Sequence, residues 1–322
     1  MALSLGAEGV THLEAGQWQV SVNYRYLYAD EGYIGDRVWP QYGNVIGARV
    51  SIHSIDLQAT YAFSPRYSAT LTMPLVHGEL SSLFEHDGTR HTTSAGGLGD
   101  MRLVGNVWLF NPDKYHDGNI SIGIGVKAPT GDEKATDTFY KRTGPEIRPV
   151  DMAIQPGDGG WGIHLEFSGY QKIFERLYGY LSGFYLINPR EENSAFTSTP
   201  YPLAGPNAAV RNLSVPDQYL GRVGINYAIW PEKGLSLSFG GRVDGIPQRD
   251  LIGGSEGFRR PGYSVYVEPG VSWTHGKNTF NLFTPVLLSA NRERNIYDDR
   301  FGTHGPGAFA DFLIIASFTR QF

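Results

Sequence analysis

The sequence has no cysteine at any of its 322 positions, which excludes disulfide scaffolds, thiolate catalysis and Cys-based zinc or iron–sulfur sites. It also has no stretch approaching the roughly 18 consecutive apolar residues of a transmembrane helix. A positive charge excess is missing too. The 27 Lys and Arg face 32 Asp and Glu, giving no electrostatic reason to expect a nucleic-acid partner. The first residues, MALSLGAEGV, lack a basic stretch followed by an apolar core, so no signal peptide is visible. The chain is then either cytosolic or the mature form of an exported protein with a Met added, and the strand pattern favours the second.

Helical periodicity is scarce, whereas two-residue periodicity is pervasive. In Gly16 to Asp30 the large residues Trp18, Val20, Val22, Tyr24, Tyr26 and Tyr28 alternate with Gln19, Ser21, Asn23 and Arg25. Such alternation places the two sets on opposite faces of one strand. Eleven more segments follow: Ile55–Phe63, Tyr67–His77, Leu98–Phe110, Asn119–Ala128, Gly160–Lys172, Tyr178–Asn188, Tyr219–Trp230, Leu235–Asp244, Tyr263–Trp273, Thr279–Ala290 and Phe309–Phe322. Asn119–Ala128 is among the clearest, with Ile120, Ile122, Ile124 and Val126 set against Ser121, Gly123, Gly125 and Lys127.

The connections alternate in length. Ser64–Arg66, Asn111–Gly118, Phe174–Arg176, Pro231–Gly234 and His275–Asn278 are short, while 29–49, 79–97, 131–159, 189–216, 246–262 and 291–307 are long and polar. A compact soluble β-domain has no reason to place a long loop at every second connection. A barrel in an outer membrane has short periplasmic turns and long extracellular loops. The fold expected is all-β: a closed antiparallel up-and-down transmembrane β-barrel of about twelve strands. Residues 1–15 are expected to form a periplasmic tail and 16–322 the barrel. Lipid then covers the apolar faces, because a membrane-spanning sheet must close on itself to pair its backbone. Trp18, Tyr28, Phe63, Trp108, Phe110, Trp161, Trp230, Trp273 and Phe322 lie near strand ends, where aromatic girdles form. A soluble sandwich or propeller is the alternative, although no repeat of 40–50 residues supports a propeller.

Three glycine-rich segments carry a resemblance: GGLGDMRLVGNVWLF (96–110), GIGVKAPTGD (123–132) and QPGDGGWGI (155–163). In them the chain resembles the outer-membrane proteins grouped under the meta-pathway of phenol degradation. That resemblance implies a barrel in the outer membrane of a Gram-negative (diderm) bacterium, and a small hydrophobic or aromatic solute as cargo. The ending Phe318–Phe322 resembles the terminal aromatic signal read by the outer-membrane assembly machinery, with Phe322 as its last residue. The glycines have local readings as well. Gly96, Gly97 and Gly99 permit a bulge or a close backbone approach, and Pro129–Asp132 ends a strand in a turn. No helix follows them, as a phosphate-binding loop would require.

The polar faces define candidate lumen residues: Arg25, Asp56, Asp100, Arg102, Lys127, His164, Glu166, Arg222, Arg242, Asp244, Glu268 and Asp311. Reflecting strands about their turns sets Arg222 opposite Arg242 or Asp244, Arg242 near Glu268, and Arg102 and Asp100 opposite Lys127. Closing first strand on last brings Arg25 level with Asp311. Such cross-strand charge pairs suit a packed or narrow lumen, and twelve strands fall between filled barrels and open channels. These charges either satisfy one another or line a permeation path.

Tyr33, Val38, Trp39, Tyr42, Phe84, Phe139 and Tyr140 fall in the long loops, forming either a greasy entry site or a lid packed onto itself. Asp132, Glu133 and Asp137 make an acidic loop without EF-hand spacing, read as a solvated face or a calcium site. No catalytic unit emerges. His164 and Ser168 share a face but stand about 13 Å apart at strand rise, and neither a nucleophile–base pair nor a metal constellation is visible. The function expected is an outer-membrane channel without cofactor. A sealed barrel that contacts a partner and a barrel hydrolase are the alternatives.

Overall fold

A computed structural model of the chain describes residues 12–83, 86–196 and 212–322. One antiparallel sheet dominates it. The strands are β1 (Trp18–Ala29), β2 (Arg49–Ala62), β3 (Tyr67–Ser82) and β4 in two segments (His91–Leu98 and Met101–Trp108). β5 (Gly118–Ala128), β6 (Gly162–Phe174), β7 (Leu177–Ile187), β8 (Gln218–Trp230) and β9 (Leu235–Ile246) follow. β10 (Gly262–His275), β11 in two segments (Asn278–Phe283 and Val286–Arg292) and β12 (Phe312–Gln321) complete it. Each strand pairs with its sequence neighbour, and β1 pairs with β12 from Gln19↔Gln321 to Tyr28↔Phe312. Of the fourteen strand segments in this sheet, two pairs are halves of interrupted strands, which leaves twelve. The sheet is a closed twelve-strand barrel.

Alternation decides which face is outside. On β5, Ile120, Ile122, Ile124 and Val126 are exposed while Asn119, Ser121 and Lys127 are buried. The same outward apolar set continues through Leu103, Leu165, Val223, Leu237 and Leu282. A wall with apolar residues outside and polar ones inside is the reverse of a water-soluble barrel and fits hydrocarbon surroundings. Exposed aromatics ring the short-turn end, among them Trp18, Phe63, Phe110, Trp230, Trp273 and Phe322. Trp108 departs from the expected girdle. It shares parity with Arg102 and Asn106, is buried inside the barrel, and meets Tyr170 edge-on at 6.1 Å.

The long-loop end of the barrel differs from expectation in one respect. β2 and β3 run on at the long-loop end, reaching Arg49 and Ser82, and the first segment of β4 covers His91–Leu98. There the pattern inverts: Val50, Ile52 and Val76 point inward and are buried, while Arg49, His53 and His77 face out. Six additional residues lengthen β2 by about 20 Å along the strand, carrying the tilted wall beyond the lipid zone. The inward apolar side chains pack with Ala95, Val150 and Ile154. An inverted pattern reads as loop in a search for apolar-outside strands, which is why these residues were expected in loops.

β4 breaks at Gly99–Asp100 opposite Pro74, which has no N–H for the ladder. Gly99 N instead donates to the Pro74 carbonyl at 2.8 Å. The long connections are not featureless either. They contain a hairpin (Thr136–Lys141 with Gly144–Pro149), short pairings of Gly32–Ile34 with Arg37–Val38 and Gly307–Ala308, and helices at Tyr42–Val45 and Ile296–Phe301. Of the expected tail 1–15, only 12–15 fall within the described residues.

Candidate functional site

The three glycine-rich motifs, far apart in sequence, meet inside the barrel. The connection between β5 and β6 turns inward, and Ile154 to Gly160 are buried without exception. Glycine makes the seating feasible. A Cβ on Gly131 would come within 2.7 Å of the Gly157 backbone, and one on Gly78 within 2.7 Å of the Ile154 Cβ. Hydrogen bonds then tie the motifs together. The Thr130 hydroxyl donates to the Gly99 carbonyl at 2.7 Å and accepts from Met101 N at 2.9 Å. Asp100 accepts from Gly131 N at 3.0 Å and from Asp158 N at 3.1 Å. The Lys127 ammonium bridges the wall and the inserted segment, pairing with Asp158 and lying 3.6 Å from Asp100. Gln155 donates to the Val150 carbonyl at 3.0 Å, and Arg260 grips Asp151 with two bonds of 2.8 and 2.7 Å.

A cavity of about 50 Å³ remains beside this knot, lined by Arg25, Asp56, Asp100, Arg102, Lys127 and Asp158 among others. It admits a few waters, whereas pockets for drug-sized ligands run from about 300 Å³ upward. Arg25 Nε donates to Ser54 at 3.1 Å, and Arg102 stands 3.9 Å from Asp56. The lumen is therefore narrowed here by the chain's own segment.

A second ionic cluster occupies the opposite wall. Arg222 Nε donates to Glu268 at 2.8 Å, Arg242 lies 3.6 Å from Glu268, and Arg242 Nε donates to Asp244 at 2.9 Å. Arg222 also stacks over Phe283 at 4.8 Å. Between the clusters, His164 and Glu166 meet at 3.0 Å, the imidazole lying 5.0 Å from the Phe184 ring. Towards the long loops the inner wall changes character: Phe184, Leu186, Leu220, Tyr266 and Leu313 form a buried apolar cluster. Towards the short turns it is lined by hydroxyls and amides such as Ser21, Asn23, Asn106, Ser121 and Thr319.

Eleven of the twelve expected lumen residues thus sit in these inner clusters; Asp311 does not. Arg25 pairs in register with Ile315, and Asp311 lies beyond the start of β12, in the loop. There it accepts from Asp30 N at 3.1 Å, and burial, with the Asp30 and Glu31 carboxylates near it, pushes its own carboxyl up to about 6. β12 begins three residues later than the sequence pattern implied, and a strand residue becomes a rim residue. Lys127 stands in register opposite Arg102, as expected, and on its other side opposite Gly162, with His164 and Glu166 further down β6.

The loop aromatics pack on loops. Tyr33 and Tyr42 are buried, Tyr33 against Phe309 at 5.8 Å and Tyr42 against Trp39 at 6.3 Å. Phe139 is buried, stacked on His86 at 5.4 Å beneath the Arg148 guanidinium, and Tyr140 stacks on His91 at 4.6 Å. Val38 is exposed, and Phe84 lies outside the described residues. Asp132, Glu133 and Asp137 take separate partners: Lys134 N, Ser194 Oγ and Ser94 N respectively. Among the described residues they do not converge on one point. His12, Glu14 and Asp113 do converge, on an exposed surface.

Sequence reasoning missed Asp158 as an ionic partner, together with the loop ion pairs Arg259–Asp250, Arg260–Asp151 and Arg292–Asp298. Asp158 stood inside a quoted motif, but strand alternation assigns no direction to a loop side chain.

These features define a class: a transmembrane β-barrel of outer-membrane type, with an ionic lumen and an inward-folded segment. Among solved structures it is similar to the COG4313 outer-membrane channel of Pseudomonas putida F1, at TM-score 0.61 and 16% identity over 96% of this chain and 97% of that one. It is less similar to the Ralstonia pickettii toluene transporter TbuX (TM-score 0.46, 8% identity, 96% and 90% covered). The CymD monoaromatic hydrocarbon channel gives a TM-score of 0.47 at 8% identity, with 96% and 89% covered. The first likeness supports the fold; the other two are too distant to add to it. No protein-family model and no curated protein matches the sequence.

Proposed function

We propose that the chain is a channel in the outer membrane of a Gram-negative bacterium, passing small hydrophobic or aromatic solutes without catalysing a reaction on them. The observation that carries this reading is the apolar lining of the inner wall near the long loops, set above an ionic layer. A barrel that passed only salts and sugars would have no use for Phe184, Leu186, Leu220 and Leu313 inside it. A solute entering from the loop side gains roughly 25 cal/mol for each Å² of apolar surface it buries there. The Pseudomonas barrel of similar fold is itself described as a channel, which agrees with the reading.

In this proposal the long loops face the cell exterior and the short turns the periplasm. Phe322, exposed beyond the last strand, serves the assembly machinery. The test is uptake. A deletion strain should take up a monoaromatic compound more slowly at low concentration, with the rate restored by the gene on a plasmid; unaltered uptake refutes the reading. A second reading, a sealed barrel, draws on the small cavity beside Lys127. Single-channel currents in planar bilayers discriminate, since a sealed barrel carries none.

A further inference from the structure

The inserted segment has a feature that bears on which solutes the channel takes; the inference rests on the channel reading above. Around the cavity, three cations (Arg25, Arg102, Lys127) face three carboxylates (Asp56, Asp100, Asp158). Two of those carboxylates belong to or adjoin barrel strands. The third, Asp158, belongs to the inserted segment, and its side chain is held by Lys127, whose own side chain is buried. Were 150–160 to swing out of the lumen, Asp158 would leave and Lys127 would stay. Lys127 would then keep only Asp100, at 3.6 Å, in a place where burial makes the loss of a close partner costly. A solute carboxylate has the geometry to take the place that Asp158 leaves beside Lys127.

The segment is fitted for movement. It contains Gly157, Gly159 and Gly160, with Gly159 at φ +80°; it seats closely on Gly78 and Gly131, and Ile154 anchors it in the inner apolar cluster. It belongs to a connection, and connections open more readily than barrel strands. Its N-terminal end is held by the Asp151–Arg260 pair.

We infer that residues 150–160 are a displaceable gate, and that the cargo carries one carboxylate which takes the place of the Asp158 side chain on Lys127. The solute class is thus narrowed to small monocarboxylates with an apolar body. The body suits the lining near Leu186, a residue that also borders the cavity.

The test uses the full chain in planar bilayers, in potassium chloride at neutral pH, with benzoate and its neutral isostere benzamide as probes. Benzoate should raise open probability at least tenfold, and benzamide at equal concentration should leave it unchanged. Lys127→Met should open without benzoate and lose the response, because it leaves Asp100 and Asp158 without their cation. Asp158→Asn should open more often in the absence of either probe. The chain has no cysteine, so Gly78→Cys with Ile154→Cys introduces a unique pair. Their Cβ atoms, 2.7 Å apart as placed, need to separate by about 1 Å for a disulfide. Oxidised, this variant should carry no benzoate-induced current, and reductant should restore it. If benzamide acts as well as benzoate, the carboxylate assignment is wrong. If the oxidised pair conducts like the reduced one, the gate is wrong. If neither probe evokes current in any variant, including Lys127→Met, the channel reading itself fails.

Discussion

Replacing Glu268 by alanine tests whether the lumen is packed or bathed in bulk water. Glu268 is fully buried on β10 and holds arginines from two other strands, Arg222 on β8 and Arg242 on β9. Asp244 accepts from Arg242 Nε at 2.9 Å. Truncation therefore removes the carboxylate that both guanidinium groups share. Arg222 is wedged over Phe283 and beside Tyr180, so it has little freedom to find water elsewhere. Two unit charges 4 Å apart interact by about 4 kcal/mol at an effective dielectric of 20. Removing one partner of a buried pair costs about 3–5 kcal/mol, much of it from the charge left behind. The expected loss is of that size. Glu268→Gln should lose less because an acceptor remains. Arg222→Met with Glu268→Met should lie near the wild type, since no orphan charge remains. Urea titration of vesicle-inserted protein, followed by the fluorescence of its six tryptophans, reads the difference. A loss below about 1 kcal/mol for Glu268→Ala, or a double variant no better than the single one, would mean that bulk water screens these charges. The packed-lumen picture would then fall.

Three further outcomes follow from other parts of the barrel. Gly157→Val should unseat the inserted segment, because its Cβ would lie 2.6 Å from the Gly131 backbone, and protease cleavage within 150–160 should rise several-fold while the barrel stays folded. Gly234→Ala, in the turn joining β8 and β9 at φ +69°, should cost more in the same urea titration than the roughly 1–2 kcal/mol of its left-handed backbone, because the new Cβ would also strike the Thr274 carbonyl. The Asp151 pair should give the segment an acid limit. Burial alone would raise this carboxyl, but the Arg260 guanidinium brings it down to about 2. With the folded value below the unfolded one, its contribution is full above about pH 4 and is lost as pH falls towards 2. Segment proteolysis should accordingly rise over that window, and Arg260→Met should remove the dependence.

Much of the architecture was legible before any coordinates, for a local reason. Side chains on a strand alternate with period two, and lipid demands that one set be apolar, so segments such as Asn119–Ala128 declare both their strand and its faces. Short and long connections in turn declare which end is which. The same local rule placed Arg222, Arg242 and Glu268 near one another, because hairpin reflection carries register across short turns.

What the rule could not reach depends on distant contacts. Asp311 was misplaced because the start of β12 is set by how the last loop packs on β1, a matter 281 residues away in sequence. The upper parts of β2, β3 and β4 were missed because beyond the lipid the pattern inverts, their apolar side chains finding Val150 and Ile154 instead of hydrocarbon. The inserted segment and its Lys127–Asp158 pair belong to tertiary structure altogether. The sequence by itself settled the wall, since every strand meets the same lipid; only the folded chain decided what fills the space inside, because a loop's path is fixed by the surfaces it happens to touch.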